Sequence, residues 1–318
     1  KIIEGVAGAV SGAHKEALPL PFPLAQHDNW QWHFYPRAET GGAAGPGGEV
    51  FVAVRMWRSS ALYRASAWVF DGERVHTVCF GDVVDAKSDK AGSLEATVVE
   101  VGSSNSFVIS IDDDFVSEGK ISVRKAAGGG ALLDVKFATQ VKTEWDVPGQ
   151  AEKVIHRPLL AVTVSAPSLL PNSPPTVSLH GYSKRYYGPY PHYWSYRFIT
   201  FVGKDASSGE PKGFWTADAT FGYNKYNYWK DFSAEDGKAA VTNHEEKEKC
   251  YHQMHVGHCS GREVHLKSKY ALRELTLRSE RSDSVMTEAF WAAEVVDKAT
   301  GKLVMKGYAF NEHCMGTI

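Results

Sequence analysis

Alternation with a period of two dominates the hydrophobic pattern of this chain. "EVFVAVRMW" (Glu49–Trp57), "LYRASAWVF" (Leu62–Phe70), "SFVISIDD", "GKISVRK", "ALLDVKFATQV" and "KVIHRPLLAVTVSA" all switch between apolar and polar positions and are rich in β-branched residues, which predicts strands. The second half continues with "PTVSLHGYSKRYY", "YWSYRFITFVG", "GFWTADATFGY", "REVHLKSKYAL", "ELTLRSE", "TEAFWAAEVVD" and "LVMKGYAFNEH". Long helical periodicity is hard to find. Turn signals punctuate the runs: Asp71-Gly72, the glycine-rich Gly41–Gly48, and "KATGK" at Lys298–Lys302. Strands of this kind, about thirteen to sixteen of them, predict an all-β protein with more strands than one small barrel needs. "SAPSLLPNSPP" (Ser165–Pro175) carries four prolines near the middle and reads as the crossing between two β domains, residues 1–170 and 171–318. The polar, charged stretch Lys230–Cys250 is the least strand-like, and reads as a solvated face, a lid or a short helix.

Two stretches depart from ordinary alternation by the size of their rings. In "NWQWHFYPR" (Asn29–Arg37), Trp30, Trp32 and Phe34 fall on one strand face, and Gln31, His33 and Tyr35 on the other. "HGYSKRYYGPYPHYWSYRF" (His180–Phe198) holds six tyrosines, one tryptophan and three cations in nineteen residues. Large rings on a strand face pack a core. Tyrosine and tryptophan also carry polar tips that need partners once buried, which suits the wall of a pocket for an apolar molecule.

Composition narrows the function classes. Of 318 residues, 43% are hydrophobic and 23% charged, enough for a sizeable core, and the formal net charge is -2. That balance opposes a nucleic-acid binder, which needs a basic surplus to neutralise phosphates. No run approaches the apolar length of a membrane span. The first residue is Lys1, which reads as a processed or trimmed start and leaves cytoplasm and secretory pathway both open. Four cysteines (Cys79, Cys250, Cys259, Cys314) are too few for a disulfide scaffold, although Cys250 and Cys259 are close enough to close one loop. "CYHQMHVGHC" resembles a zinc cluster in content, but His252, His255 and His258 are spaced three apart and do not share a strand face. The chain has no G-x-G-x-x-G after a strand, no P-loop and no G-x-S-x-G elbow, so no cofactor and no metal is expected.

The stretch "HGYSKRYYG…YWSYRF" resembles the G-Y-H-D-x-N-W-G…W-Y-W-G segment of the lipocalin-like proteins related to carotenoid 1,2-hydratases and fungal Diels–Alderases. Gly181, Tyr182 and Gly188 match, and Tyr193 and Trp194 sit at the W-Y-W segment. "NWQWHFY" resembles the strand that opens that family's first domain, and "GYAFNEH" (Gly307–His313) the strand that closes its second. The resemblance implies two β domains, one sandwich-like and one a lipocalin-like barrel placed C-terminally, with a ligand pocket at their junction. It departs at Ser183-Lys184, where the family pattern has His-Asp, and at Tyr186-Tyr187, where it has Asn-Trp. A lysine ammonium, with an ordinary pKa of about 10.4, is a poor donor of a proton to an alkene. A pericyclic reaction asks less: orientation, desolvation and one or two donors aimed at a carbonyl.

The expected function is therefore a cofactor-independent Diels–Alderase or hetero-Diels–Alderase acting on a polyene, terpenoid or polyketide. Arg55, Lys184, Arg185, His192 and Glu312 are the candidate catalytic donors and acids. Trp30, Trp32, Tyr182, Tyr187, Tyr190, Trp194, Trp215 and Trp291 are the candidate walls. Two alternatives stand beside it: a terpenoid hydratase, isomerase or dehydratase using Glu312 or His192 as general acid, and a non-catalytic lipocalin-like carrier.

Overall fold

A computed structural model describes residues 26–37, 49–59, 62–88, 92–114, 116–140, 143–146, 153–171, 173–189, 193–221, 224–235, 238–243, 251–253, 256–259, 261–279 and 282–317. Every regular element among them is a strand, so the all-β expectation holds. None of the described residues forms a helix long and apolar enough to cross a membrane. Two compact units emerge: one takes the described residues of 1–34 and 44–190, the other those of 35–43 and 191–318.

The first unit is a closed barrel. Strands β1 (Gln26–Pro36), β2 (Phe51–Ser59), β3 (Leu62–Phe70), β4 (Val75–Lys87), β5 (Ser93–Glu100), β6 (Ser106–Asp113), β7 (Glu118–Lys125) and β8 (Ala131–Thr139) follow one another as a meander. The short β9 (Thr143–Asp146) pairs only with the start of β10 (Lys153–Ser165). The second half of β10 pairs with β8, and all of β10 runs against β11 (Val177–Pro189), which in turn borders β1. The ring β11-β1-β2-β3-β4-β5-β6-β7-β8-β10 is thereby closed, with the short β9 lying outside it. β10 changes partner at a bulge between Arg157 and Leu160, where Leu159 adopts a φ of 59°.

The sequence signals explain the turns. At Asp71-Gly72 the Asp71 carboxylate accepts the backbone N–H groups of Glu73 and Arg74, and Gly72 takes a φ of 97°. "KATGK" does the same with Asp297, Thr300 and Gly301. Inside the barrel, Trp30, Trp32 and Phe34 pack with Val52, Val54, Met56, Ala65, Ala67, Val98, Ile109, Val135, Leu160 and Val162. The predicted sidedness of β1 is therefore observed. On β11, Gly181 is required by close packing, because a Cβ there would lie 2.7 Å from Phe34 and 2.9 Å from Val162.

The second unit is an open, curled sheet. It comprises β12 (Tyr193–Asp205), β13 (Pro211–Phe221), β14 (Asn224–Glu235), β15 (Lys238–Asn243), β16 (Tyr251–Gln253), β17 (Val256–Cys259), β18 (Arg262–Ser279), β19 (Ser282–Asp297) and β20 (Leu303–Thr317). Their order is β15-β14-β13-β12-β20-β19-β18-β17-β16, so the last strand is inserted at the centre. One face packs Ile199, Phe201, Phe214, Val264, Ala289, Trp291, Ala293, Val295 and Ala309.

Several expectations change. The closed barrel is N-terminal, not C-terminal, and the partition falls after residue 190 rather than 170. The proline-rich Ser165–Pro175 is a hairpin connection, not a crossing: Leu169 and Leu170 donate back to the carbonyl of Ala166, and Leu170 is buried in the barrel core. Its prolines serve a turn that returns β11 to pair with β10. Within Lys230–Cys250, the described residues form the end of β14 and the whole of β15, an antiparallel hairpin instead of a helix. Among the described residues, twenty strands form where about thirteen to sixteen are predicted: β4, β5 and β14 and the short β9, β15, β16 and β17 match none of the quoted runs, whereas "REVHLKSKYAL" and "ELTLRSE" are one strand, β18. The glycine-rich 41–48 loop lies outside the described residues.

Candidate functional site

The barrel interior holds charges, and each is neutralised in place. Arg157 forks onto Asp113, with Nη1 donating to Oδ1 at 2.7 Å and Nη2 to Oδ2 at 2.5 Å, while its Nε donates to Ser183 Oγ at 2.9 Å. Trp32 Nε1 donates to the same Asp113 at 2.9 Å. A second set repeats the design: Arg185 donates to Asp28 from Nε and Nη2, Trp30 Nε1 donates to Asp28 Oδ1 at 2.8 Å, and the guanidinium lies 4.6 Å from the Trp30 ring centroid. Bidentate pairing and indole donors fill the carboxylates' lone pairs, which is what makes two buried ion pairs tolerable.

The opposite face of the strands around β1 is also buried, and it is polar. Asn29, Gln31 and His33 on β1, Arg55 and Trp57 on β2, Ser66 and Trp68 on β3, His156 on β10, and Tyr182 and Lys184 on β11 are all shielded from solvent. Register confirms the common face: Gln31 is opposite Arg55, Arg55 opposite Ser66, and His156 opposite Lys184. Arg55 Nε donates to Asn29 Oδ1 at 3.0 Å, and its guanidinium lies 5.0 Å from the Trp57 ring centroid. Tyr182 Oη and His156 Nδ1 are hydrogen-bonded at 2.5 Å. Trp68 stacks on Phe80 at 6.3 Å.

The second unit has a buried patch of its own. Glu312 is fully buried on β20 and accepts a hydrogen bond from Tyr196 Oη. Its cross-strand neighbours are Phe198 on β12 and Glu288 on β19, itself buried. Around this row stand Trp215, stacked on Phe198 at 5.6 Å, and Phe290, edge-on to Phe310 at 5.1 Å. Tyr35, which belongs to this unit, hydrogen-bonds Thr200 at 2.7 Å and meets Phe290 edge-on. Burial pushes the Tyr35 phenol far above its ordinary range, so it remains a neutral hydroxyl.

The candidate residues thus fall into distinct places. Arg55, Lys184 and Tyr182 share the buried outer face of the barrel. Trp30 and Trp32 point into the barrel core, and Arg185 with them; they are engaged by Asp28 and Asp113. Lys184 and Arg185 do take opposite faces, as neighbours on a strand must, yet both are buried. Glu312 and Trp215 lie in the polar patch of the second unit, whereas Trp291 packs in that unit's apolar core. Tyr187 and Trp194 are placed on β11 and β12 as backbone only, and His192 and Tyr190 lie outside the described residues.

Sequence reasoning missed Glu288, Tyr196, His156, Trp57, Ser66 and Trp68. Their signal was available: strands such as Leu62–Phe70 carry large rings on both faces, which marks burial on both. The described residues contain no group of three His, Cys, Asp or Glu side chains able to hold a metal. Of the cysteine–histidine cluster, Cys250 and His255 lie outside the described residues, and His258 lies 3.3 Å from Glu263.

Comparison with known proteins gives no match to any family model and none to a curated protein. Solved structures do match. CghA aligns over 90% of this chain and 88% of its own with a TM-score of 0.51 and 10% identity. The two chains share a fold. An AttH candidate from Nitrosomonas europaea aligns over 95% of this chain and 94% of its own at a TM-score of 0.49 and 10% identity. Kievitone hydratase from Nectria haematococca aligns over 91% and 88% at 0.42 and 11%. The shared fold agrees with the resemblance read from Gly181, Tyr182 and the strands at either end of the chain.

Proposed function

We propose that this protein is a cofactor-independent [4+2] cyclase, a Diels–Alderase or hetero-Diels–Alderase of natural-product biosynthesis, whose substrate is an apolar polyene or a quinone-methide-like electrophile. The observation that carries this reading is the buried outer face of the barrel, where Arg55 lies against the Trp57 ring and where Lys184 and Tyr182 are also buried. Donors held there in a dry setting polarise a carbonyl on the electron-poor partner and lower the barrier to addition. Ring faces hold the two π-systems in register, and orientation of this kind is equivalent to effective molarities of about 10⁵ M or more. Two C–C bonds, or one C–C and one C–O bond, form as three π-bonds become one, with no net transfer of a proton or electron.

A second reading has its own observation. Glu312, fully buried and hydrogen-bonded by Tyr196, has the setting of a general acid for hydration or isomerisation of an alkene. Protonation of one alkene carbon by the Glu312 carboxyl would leave a cation for water to attack, with the proton of that water returned to the carboxylate.

One experiment separates them. Purified protein is given a linear triene bearing a terminal enone, in D₂O, across a pH series. The cyclase reading expects a cyclised isomer of unchanged mass, no carbon-bound deuterium, a nearly flat pH profile, and activity retained within about tenfold in Glu312→Gln. Deuterium at carbon, a titrating limb, and a loss of about a hundredfold or more in Glu312→Gln overturn it in favour of acid catalysis.

A further inference from the structure

Among the described residues, three buried donors on the outer face of β2 and β3 have no acceptor. The indole N–H of Trp57, the hydroxyl of Ser66 and the indole N–H of Trp68 lack hydrogen-bond partners at exposures of 4%, 0% and 1%. Register gathers them around one cation. Ser66 lies directly opposite Arg55, Trp57 is two residues along from Arg55, and Trp68 is two residues along from Ser66. All four side chains project from the same side of the sheet. Arg55 is itself oriented, its Nε on Asn29 and its plane against Trp57.

A buried donor without an acceptor carries its whole desolvation cost with nothing in return, and folded proteins leave few of them. Three on one face, surrounding a guanidinium, form a set with a definite chemical complement. Indole N–H groups donate and never accept, so the group that meets Trp57 and Trp68 is an acceptor. The adjacent positive charge favours an anionic one. The rings of Trp57, Trp68 and Phe80 offer flat apolar surface beside it.

We propose that Trp57, Ser66, Trp68 and Arg55 form a binding site for an anionic oxygen group, a carboxylate or an enolate, on an otherwise apolar unsaturated small molecule. The apolar skeleton rests on the cyclase reading above. The oxygen group is argued from the unmet donors alone. For that reading it makes the polarised carbonyl an acidic one, held as its anion, and it makes the barrel face the end of the site that fixes the substrate's polar head.

The test reads binding without turnover. Sorbate and a longer-chain homologue, both dienoates, are titrated into ¹⁵N-labelled protein, with 2,4-hexadien-1-ol as the neutral counterpart of sorbate. The indole N–H resonances of Trp57 and Trp68 are assigned with Trp57→Phe and Trp68→Phe. Both resonances are expected to move downfield with the dienoates and stay in place with the alcohol. Arg55→Gln is expected to weaken dienoate binding about tenfold to a hundredfold, the range for losing a hydrogen bond to a charged group. Ser66→Ala is expected to weaken it while leaving the unfolding midpoint of the ligand-free protein unchanged or raised, because the substitution removes an unmet polar group. Motionless indoles with both dienoates, equal binding of the alcohol, or a Ser66→Ala protein that is destabilised yet binds as well as before each overturns the inference. Failure of the cyclisation assay leaves these results standing, and cyclisation with motionless indoles overturns this inference alone.

Discussion

The two faces of the barrel treat their buried charges and indoles in opposite ways, although the interior too holds an unmet hydroxyl, that of Tyr63. Inside, Asp113 is met by Arg157 and Trp32, and Asp28 by Arg185 and Trp30. Outside, on β2 and β3, Trp57, Ser66 and Trp68 are as deeply buried but unmet. The strands, the twist and the residue types are shared, so sheet geometry does not account for the difference. A satisfied network needs nothing further and serves to fix register: it ties β1 to β11 and β6 to β10. Unmet donors are complete only with something added. Burial of polar atoms therefore does not by itself point to a ligand site, whereas their hydrogen-bond balance does.

The strongest way to break the comparison is to unbalance the interior. Asp113→Ala leaves the Arg157 guanidinium buried without its carboxylate and takes an acceptor from Trp32. The expected loss is about 3–5 kcal/mol in urea unfolding, because an uncompensated charge remains in the core. Replacing both partners, with Asp113→Leu and Arg157→Met, should recover much of that loss. Dienoate binding by the folded fraction should be unaffected in either case. A loss under about 1 kcal/mol for Asp113→Ala would mean that the interior pairs are as dispensable as surface ones.

How much of this was legible in the sequence follows from how local each feature is. The sidedness of Trp30, Trp32 and Phe34 follows from alternation within one strand, and the turns at Asp71-Gly72 and Thr300-Gly301 from the chemistry of adjacent residues. Ring closure is not local. It depends on β10 abandoning β9 for β8 at the Leu159 bulge and on β11 returning to β1, and neither leaves a periodic trace. The Asp113–Arg157 fork joins residues 44 apart, so neither residue marks the other. Arg55 stands out in the sequence by its charge, but alternation alone does not say whether its strand face is wet or buried. Ser66 was passed over because a small polar residue in alternation looks like an outward, wet position. Only the burial of the second face changes its meaning, and the rings of Trp57 and Trp68 on that face were the available hint. His192 and Tyr190, prominent in the sequence, lie outside the described residues.

A smaller effect tests the packing side of the same contrast. Gly181 faces the interior, where a Cβ would lie 2.7 Å from Phe34 and 3.2 Å from Leu160. Gly181→Ala should cost about 1–3 kcal/mol by overpacking. An unfolding midpoint equal to that of the parent protein would show that the interior has slack, and that tight balance is not what distinguishes it from the outer face.

The smallest effect comes from a carboxylate satisfied by its own turn, which marks the lower end of the scale. Asp205 accepts from the Ser207 hydroxyl, the Ser207 N–H and the Ser208 N–H. The Ser207 hydroxyl bond is the main cause that lowers its pKa from the ordinary 3.8 to about 2, against a small opposing push from burial. A folded-state pKa below the unfolded one gives stability that is fully present above about pH 4 and lost as the pH falls toward about 2. Asp205→Asn should therefore lower stability by less than about 1 kcal/mol at neutral pH, since the group is solvent-screened. The gap between the two proteins, read from urea midpoints, should narrow as pH drops from about 4 to about 2. A gap that stays constant through that window would mean the contribution is geometric, from the shape of the turn, and owes nothing to the charge. The buried carboxylates differ in kind: Asp113 is set against a guanidinium drawn from 44 residues away, so its balance is a property of the closed barrel and not of any one turn.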